Sequence, residues 1–236
     1  MIASFVEYLN AGRIQEAYAM LTEESKQIQF PTVQSFANTY VRRVFSEYRI
    51  HNTQIWISER NSHTYRVTFL PDILATGNTS NANRITDYIT VVRVAEDEYR
   101  LNISGYIGRT VLGNSATRQG VEITAVHKDI FMDYQLYQLE IRNRSDNNIL
   151  LNSFDRASTI FIQDQNENRF NSQLHEIDNN LLHVERNSIG RLNIRFNKMH
   201  GTAREVNSIN FTNIIMEAQR YVQQGISETE SIRIIL

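Results

Sequence analysis

The rhythm of apolar positions along this chain changes once. Up to about Phe45 apolar residues return every three or four positions; from about Ile50 they return every second one. Ile2, Phe5, Val6 and Leu9 share one helical face, and Asn10-Ala11-Gly12 supplies a stop. Ile14, Ala17, Tyr18 and Leu21 repeat the spacing, so two helices joined by a short link should pack as an antiparallel pair. Thr22-Glu23-Glu24-Ser25 reads as a break and a fresh cap. Pro31 and Thr32 open a third helix with Val33, Phe36, Tyr40 and Val44 on its buried side.

The two-residue beat predicts a strand around Ile55-Trp56-Ile57 and another in which Tyr65, Val67 and Phe69 alternate with Thr64, Arg66 and Thr68. Pro71 ends it, and residues 74–83 read as a polar loop. A long strand follows from Ile85 to Val94, then a turn at 95–98 and a returning strand through Tyr99, Leu101 and Ile103. Tyr106 to Gly120, with Gly108, Gly113 and Gly120, reads as the junction between two domains. Beyond it only strands are expected, until one or two helical turns at 217–224; the alternation of Tyr137, Leu139 and Ile141 and of Leu192, Ile194 and Phe196 is the clearest. The expected class is α+β: three helices and an antiparallel sheet over residues 1–108, then an all-β sandwich over 119–236.

Composition supports a packed core in each part, since 41% of the 236 residues are apolar and 21% are charged. A net charge of −2 argues against a nucleic-acid partner, which calls for a basic excess. The absence of cysteine removes disulfides, thiol catalysis and thiolate metal sites. No window approaches a bilayer-spanning apolar stretch, and no charged-then-apolar leader opens the chain. Met1 stands almost directly on an amphipathic helix, which leads us to expect a preceding signal or anchor in the native protein. Four Asn-x-Ser/Thr sequons, at Asn78, Asn102, Asn143 and Asn210, read as chance in an Asn-rich chain.

The stretch from Phe5 to Leu21, with its Asn10-Ala11-Gly12-Arg13 turn and Ala17-Tyr18, followed by Thr22-Glu23-Glu24-Ser25-Lys26, resembles the opening of NTF2-like domains. The version with Ser-Lys after the second helix is most similar to NTF2-like modules of extracytoplasmic proteins in Gram-positive bacteria. In the second half, the segments Tyr137–Asp146, Ile162–Asn168 and Gly190–Phe196 resemble the immunoglobulin-like sandwich of small Gram-positive lipoproteins and membrane-anchored proteins. The resemblance implies a cone-shaped cavity in the first domain and a place outside the cytoplasm.

Chemistry-bearing residues are sparse. Enzymatic NTF2-like relatives set an Asp or His in the cavity opposite a Tyr. Here Asp87 and Tyr88 are adjacent on one strand, so only one of them can enter; Asp72 stands at a strand end and His63 in a turn. Tyr18, Tyr40, Trp56, Phe69 and Tyr88 are the candidate lining of a pocket for an apolar ligand or peptide, although aromatics on helix-facing positions more often form core. Trp56, flanked by Ile55 and Ile57, suggests a contact surface. Asp164, Asn166 and Asn168 begin like a calcium loop, but Arg169 and His175 occupy the places that need Gly and Glu, so a hairpin turn is the reading. The six histidines show no ligand spacing. No metal or cofactor is expected. The expected function is a non-enzymatic binding or spacer protein of the cell envelope, with an unidentified protein or envelope partner. The alternatives are an NTF2-like ligand carrier or enzyme, and a scaffold subunit of an envelope-spanning transfer machine.

Overall fold

A computed structural model describes residues 1–72, 74, 77, 83–152, 159–174, 177–201 and 205–236. The protein is mixed and mostly antiparallel, with 22% helix and 50% strand, which fits the α+β class. The chain forms two compact units, Met1–Gly108 and Arg109–Leu236.

In the first unit, helices α1 (Ile2–Asn10) and α2 (Ile14–Ala19) follow the predicted spacing. The predicted break is itself a helix, α3 (Glu23–Gln29). Thr22 caps it by accepting from the Ser25 N–H, and Glu23 and Glu24 lie in its first turn. Among the described residues, the expected three helices are therefore four. The periodicity missed α3 because it buries little apolar surface: of its own residues only Ser25 is buried. Helix α4 spans 33–44: Val33–Phe36 is α-helical, Ala37–Val41 is a π-turn and Arg42–Val44 is α-helical again. Thr32 and Ser35 cap its start reciprocally.

Four strands follow: β1 (Arg49–Ser58), β2 (Ser62–Pro71), β3 (Ile85–Ala95) and β4 (Glu98–Asn102). They pair antiparallel in chain order, leaving β1 on the edge. On the opposite edge Leu21 bridges Leu101. One sheet face carries Val67, Phe69, Ile89 and Leu101 against Phe5, Leu9, Ala17, Leu21, Phe36, Tyr40 and Val44 of the helices.

In the second unit, residues 109–118, expected as junction, belong to strand β5 (Tyr106–Arg118). The glycines there misled the reading: alternation with polar residues over an exposed strand leaves little apolar signal. Strands β6 (Val121–Phe131), β7 (Gln135–Asn143) and β12 (Ser188–Phe196) complete a sheet in the order β12-β7-β6-β5. A second sheet holds β8 (Ile149–Leu150), β9 (Ile160–Asp164), β10 (Arg169–Asn171), β11 (His183–Val184), β13 (Val206–Ile215) and β14 (Thr229–Ile235). Both sheets feed one core, in which Ile123, Leu139 and Ile194 of the first meet Ile162, Ile209, Phe211 and Ile232 of the second. Helix α5 (Asn179–Leu182), capped by Asp178, interrupts the strands where none was expected. Helix α6 (Ala218–Gln224) lies where helical turns were predicted.

The β5–β6 hairpin turns on Gln119 and Gly120, both at positive φ, as a two-residue turn of the type I′ class requires. A Cβ on Gly120 would lie 3.1 Å from the Ser145 nitrogen and 3.3 Å from the Arg144 carbonyl carbon, both main chain. Gly120→Ala is therefore expected to destabilise the second unit by about 1–3 kcal/mol in a denaturant titration. An unchanged midpoint would show that the turn relaxes freely.

Asn102, Asn143 and Asn210 of the sequons are buried, and their side-chain amides donate to the Ile107 carbonyl, the Asn147 carbonyl and the Ser208 hydroxyl. Asn78 and His175 lie outside the described residues. The Asp164 carboxylate accepts from the Asn166 and Asn168 N–H groups and the Asn168 amide, closing a turn.

Candidate functional site

The five aromatic candidates do not converge. Tyr40 and Phe69 are buried in the core between helices and sheet, and Tyr18 sits at its margin with its hydroxyl on the Phe30 carbonyl, 2.8 Å away. Trp56 and Tyr88 lie together on the other face of the sheet, with ring centroids 5.7 Å apart. Adjacent residues on a strand point to opposite faces, so Asp87 enters the helix side and Tyr88 the open side.

On the helix side, the Tyr40 hydroxyl donates to Asp87 Oδ2 at 2.8 Å. The same oxygen accepts the Ser104 N–H at 3.1 Å, and Oδ1 accepts the Tyr88 N–H at 2.7 Å. Both side chains are almost wholly buried. Burial pushes the Asp87 carboxyl above its ordinary 3.8, against the pull of its hydrogen bonds and of Arg43. Burial and the neighbouring carboxylate hold the Tyr40 phenol protonated, so it is the donor. The π-turn places Tyr40. In an α-helix four residues overshoot a full turn by about 40°. A wider turn at Ala37–Val41 offsets that drift, so Phe36, Tyr40 and Val44 all stay in the core. Phe36 and Tyr40 stack at 5.7 Å. Ser104 and Gly105, at positive φ, form the turn that aims the Ser104 N–H at the carboxylate. This group of residues was not legible as a unit, because 47 residues separate its two main members.

The open face is organised by cross-strand rows. Gln54, Arg66 and Tyr88 form one row; Asn52, Thr68 and Thr86 form the next; Ile50 pairs with Leu70 in a third, which Arg84 adjoins just before β3. A β-bulge between Ile55 and Ile57 sets Trp56 beside this face, where the Arg66 guanidinium lies 6.0 Å from its ring. Asn52, Thr53, Gln54, Arg66, Thr68, Leu70 and Arg84 line an open groove of about 280 Å³.

The free edge of β1 is the third feature. The Asn10 side chain exchanges two hydrogen bonds with the Arg49 main chain, at 2.7 and 2.9 Å, as a neighbouring strand would. This sets the phase of the edge: the main-chain N–H and C=O of Arg49 face outward, and with strand alternation so do those of His51, Thr53 and Ile55. Among the described residues, no main-chain group outside the sheet and no side chain is hydrogen-bonded to the main chain at those three positions. Ile50, Ile55 and Trp56 are 47%, 63% and 45% exposed, high values for apolar residues on a regular strand.

Among the described residues no group of three His, Asp or Glu side chains is arranged to hold a metal ion, and no helix is long and apolar enough to cross a membrane. No protein-family model, curated protein or solved structure matches this chain significantly.

Proposed function

We propose that this chain is a non-enzymatic binding protein of the bacterial cell envelope, built from an NTF2-like domain and an immunoglobulin-like sandwich, that captures an extended segment of a partner protein on the edge of β1. The free edge carries the reading. Three alternate residues, His51, Thr53 and Ile55, offer outward main-chain groups, and residues 50–58 contain no Lys, Asp, Glu or Pro to repel an added strand. Strand addition uses such an edge for affinity and its exposed side chains for selectivity. The envelope location rests on the resemblance of both domains to extracytoplasmic modules.

Thr53→Pro tests this. The Thr53 N–H points outward, so proline removes a docking donor while leaving the ladder to β2 intact. A photo-cross-linker at Ile55, in cells that produce the protein, should trap one partner in the envelope fraction. Adding Thr53→Pro should reduce the adduct about tenfold or more. The same probe at Val222, exposed on α6, should not trap that partner. An adduct insensitive to Thr53→Pro overturns the edge; an adduct found in cytosol overturns the location.

A second reading, an NTF2-like ligand carrier or enzyme, draws on the Tyr40–Asp87 pair, because π-turns and buried carboxylates gather at functional sites. Against it, all three donors around Asp87 are already committed to its carboxylate.

A further inference from the structure

We propose that the groove on the open face of the first unit's sheet binds an acidic carbohydrate chain, with Arg66 and Arg84 engaging carboxylates on separate sugars and Trp56 giving an apolar platform at one end. The inference stands on the groove itself and requires neither the β1 edge nor an envelope location.

Among the described residues neither guanidinium meets a carboxylate, and Arg66, whose one contact is with the Trp56 ring, has its Nε buried with no hydrogen-bonding atom in reach. A buried, unpaired donor on a charged group is costly unless a ligand completes it. No carboxylate lines the groove to neutralise either cation. A planar fork of donors suits a carboxylate in two-point contact.

The spacing selects a chain over a small anion. Arg66 shares a row with Tyr88, and Arg84 lies four residues earlier on the same strand line, which sets the two backbones about 14 Å apart. A linear chain with carboxylates on successive sugars spans that separation and meets both cations at once. Between them lies the row of Asn52 and Thr68, and Gln54 stands beside Arg66, all neutral donors and acceptors suited to hydroxyl groups. Leu70 is the one apolar lining residue, which leaves no trough for a lipid tail. Two cations are too few to track a phosphate backbone, and Trp56 and Tyr88 meet at 58° rather than offering successive parallel platforms for bases.

The test titrates the full chain with a galacturonate hexamer, its fully methyl-esterified form, and an oligothymidylate of similar length. The hexamer should bind and the ester should not. Arg84→Gln should weaken hexamer binding about tenfold, as loss of one charge-assisted contact predicts. Arg84 is exposed, so this variant should melt as the wild type does. Arg66→Gln should weaken binding at least as much, and Trp56→Ala should weaken it without altering its salt dependence. Failure of the hexamer to bind overturns the proposal, as does equal affinity for the ester. Preferential binding of the oligothymidylate overturns the carbohydrate class, and hexamer binding indifferent to both arginine substitutions overturns the site.

Discussion

Asp87→Ala is expected to destabilise the first unit by about 3–5 kcal/mol, the range for removing one side of a buried, charge-assisted network. The substitution leaves the Tyr40 hydroxyl and the Ser104 and Tyr88 N–H groups without the acceptor they share. Tyr40→Phe should cost less, about 1–2 kcal/mol, because the two main-chain donors still serve the carboxylate. In a double-mutant cycle the pair should couple by about 1–3 kcal/mol. Additive losses would mean that the hydroxyl and the carboxylate do not depend on each other.

The same residue predicts a pH effect. Burial raises the folded-state pKa of Asp87 above 3.8, so the fold favours the protonated carboxyl relative to the unfolded chain. Its contribution is present in full below the unfolded value and is lost as pH rises through the raised one. Asp87→Asn cannot ionise. The stability difference between wild type and this variant should therefore shift against the wild type as pH rises from 3.8, and a constant difference would remove the argument.

Arg49→Met should have an effect of similar size, about 3–5 kcal/mol, seen as a fall of about 10 °C or more in the melting temperature of the first unit. The Arg49 side chain is only 2% exposed. Its Nε donates to the Val44 carbonyl at 2.9 Å, one guanidinium nitrogen donates to the Asn83 carbonyl at 2.7 Å, and the other meets Glu47 at 3.1 Å. One side chain thus closes the C-terminal end of α4 and ties it to the start of the sheet. Methionine matches the bulk but takes the guanidinium donors from both carbonyls and leaves Glu47 with the Asn83 amide in place of a cation. Arg49→Lys should recover little, since a single ammonium cannot span three acceptors in a plane. Glu47→Gln should cost much less, because the two carbonyl contacts remain. Equal losses in the lysine and glutamine variants would show that charge alone, not the fork, holds the joint.

Several parts of the architecture could be read from residue spacing. The helix faces at Phe5, Leu9, Phe36 and Tyr40 and the strand beats at Val67, Phe69, Leu139 and Ile194 are local, because a helix or strand shows its buried side at a fixed period. Helix α3 escaped because its evidence is a cap rather than an apolar stripe. Strand β5 escaped because an exposed strand with glycines has no beat to detect. The bulge at Trp56 escaped because one inserted residue breaks alternation only relative to its partner strand.

The candidate sites were less legible. Tyr40, Trp56, Phe69 and Tyr88 were singled out as aromatic, yet the sheet divides them between two faces. Arg66 and Arg84 carried no signal as members of a chain that is slightly acidic overall. Only cross-strand register brings them to one groove, as only the packing of α4 on β3 brings Tyr40 to Asp87.

By itself the order of residues determined where helices give way to strands, which faces of most elements are apolar, and that no cysteine chemistry is open to this protein. Tertiary structure alone decided which of the described polar groups are satisfied and which are left without a hydrogen-bond partner. The physical reason is range: side-chain periodicity is set by neighbours within a turn or a pleat, whereas a hydrogen-bond partner or an unpaired cation is defined by atoms that the chain brings together from distant positions.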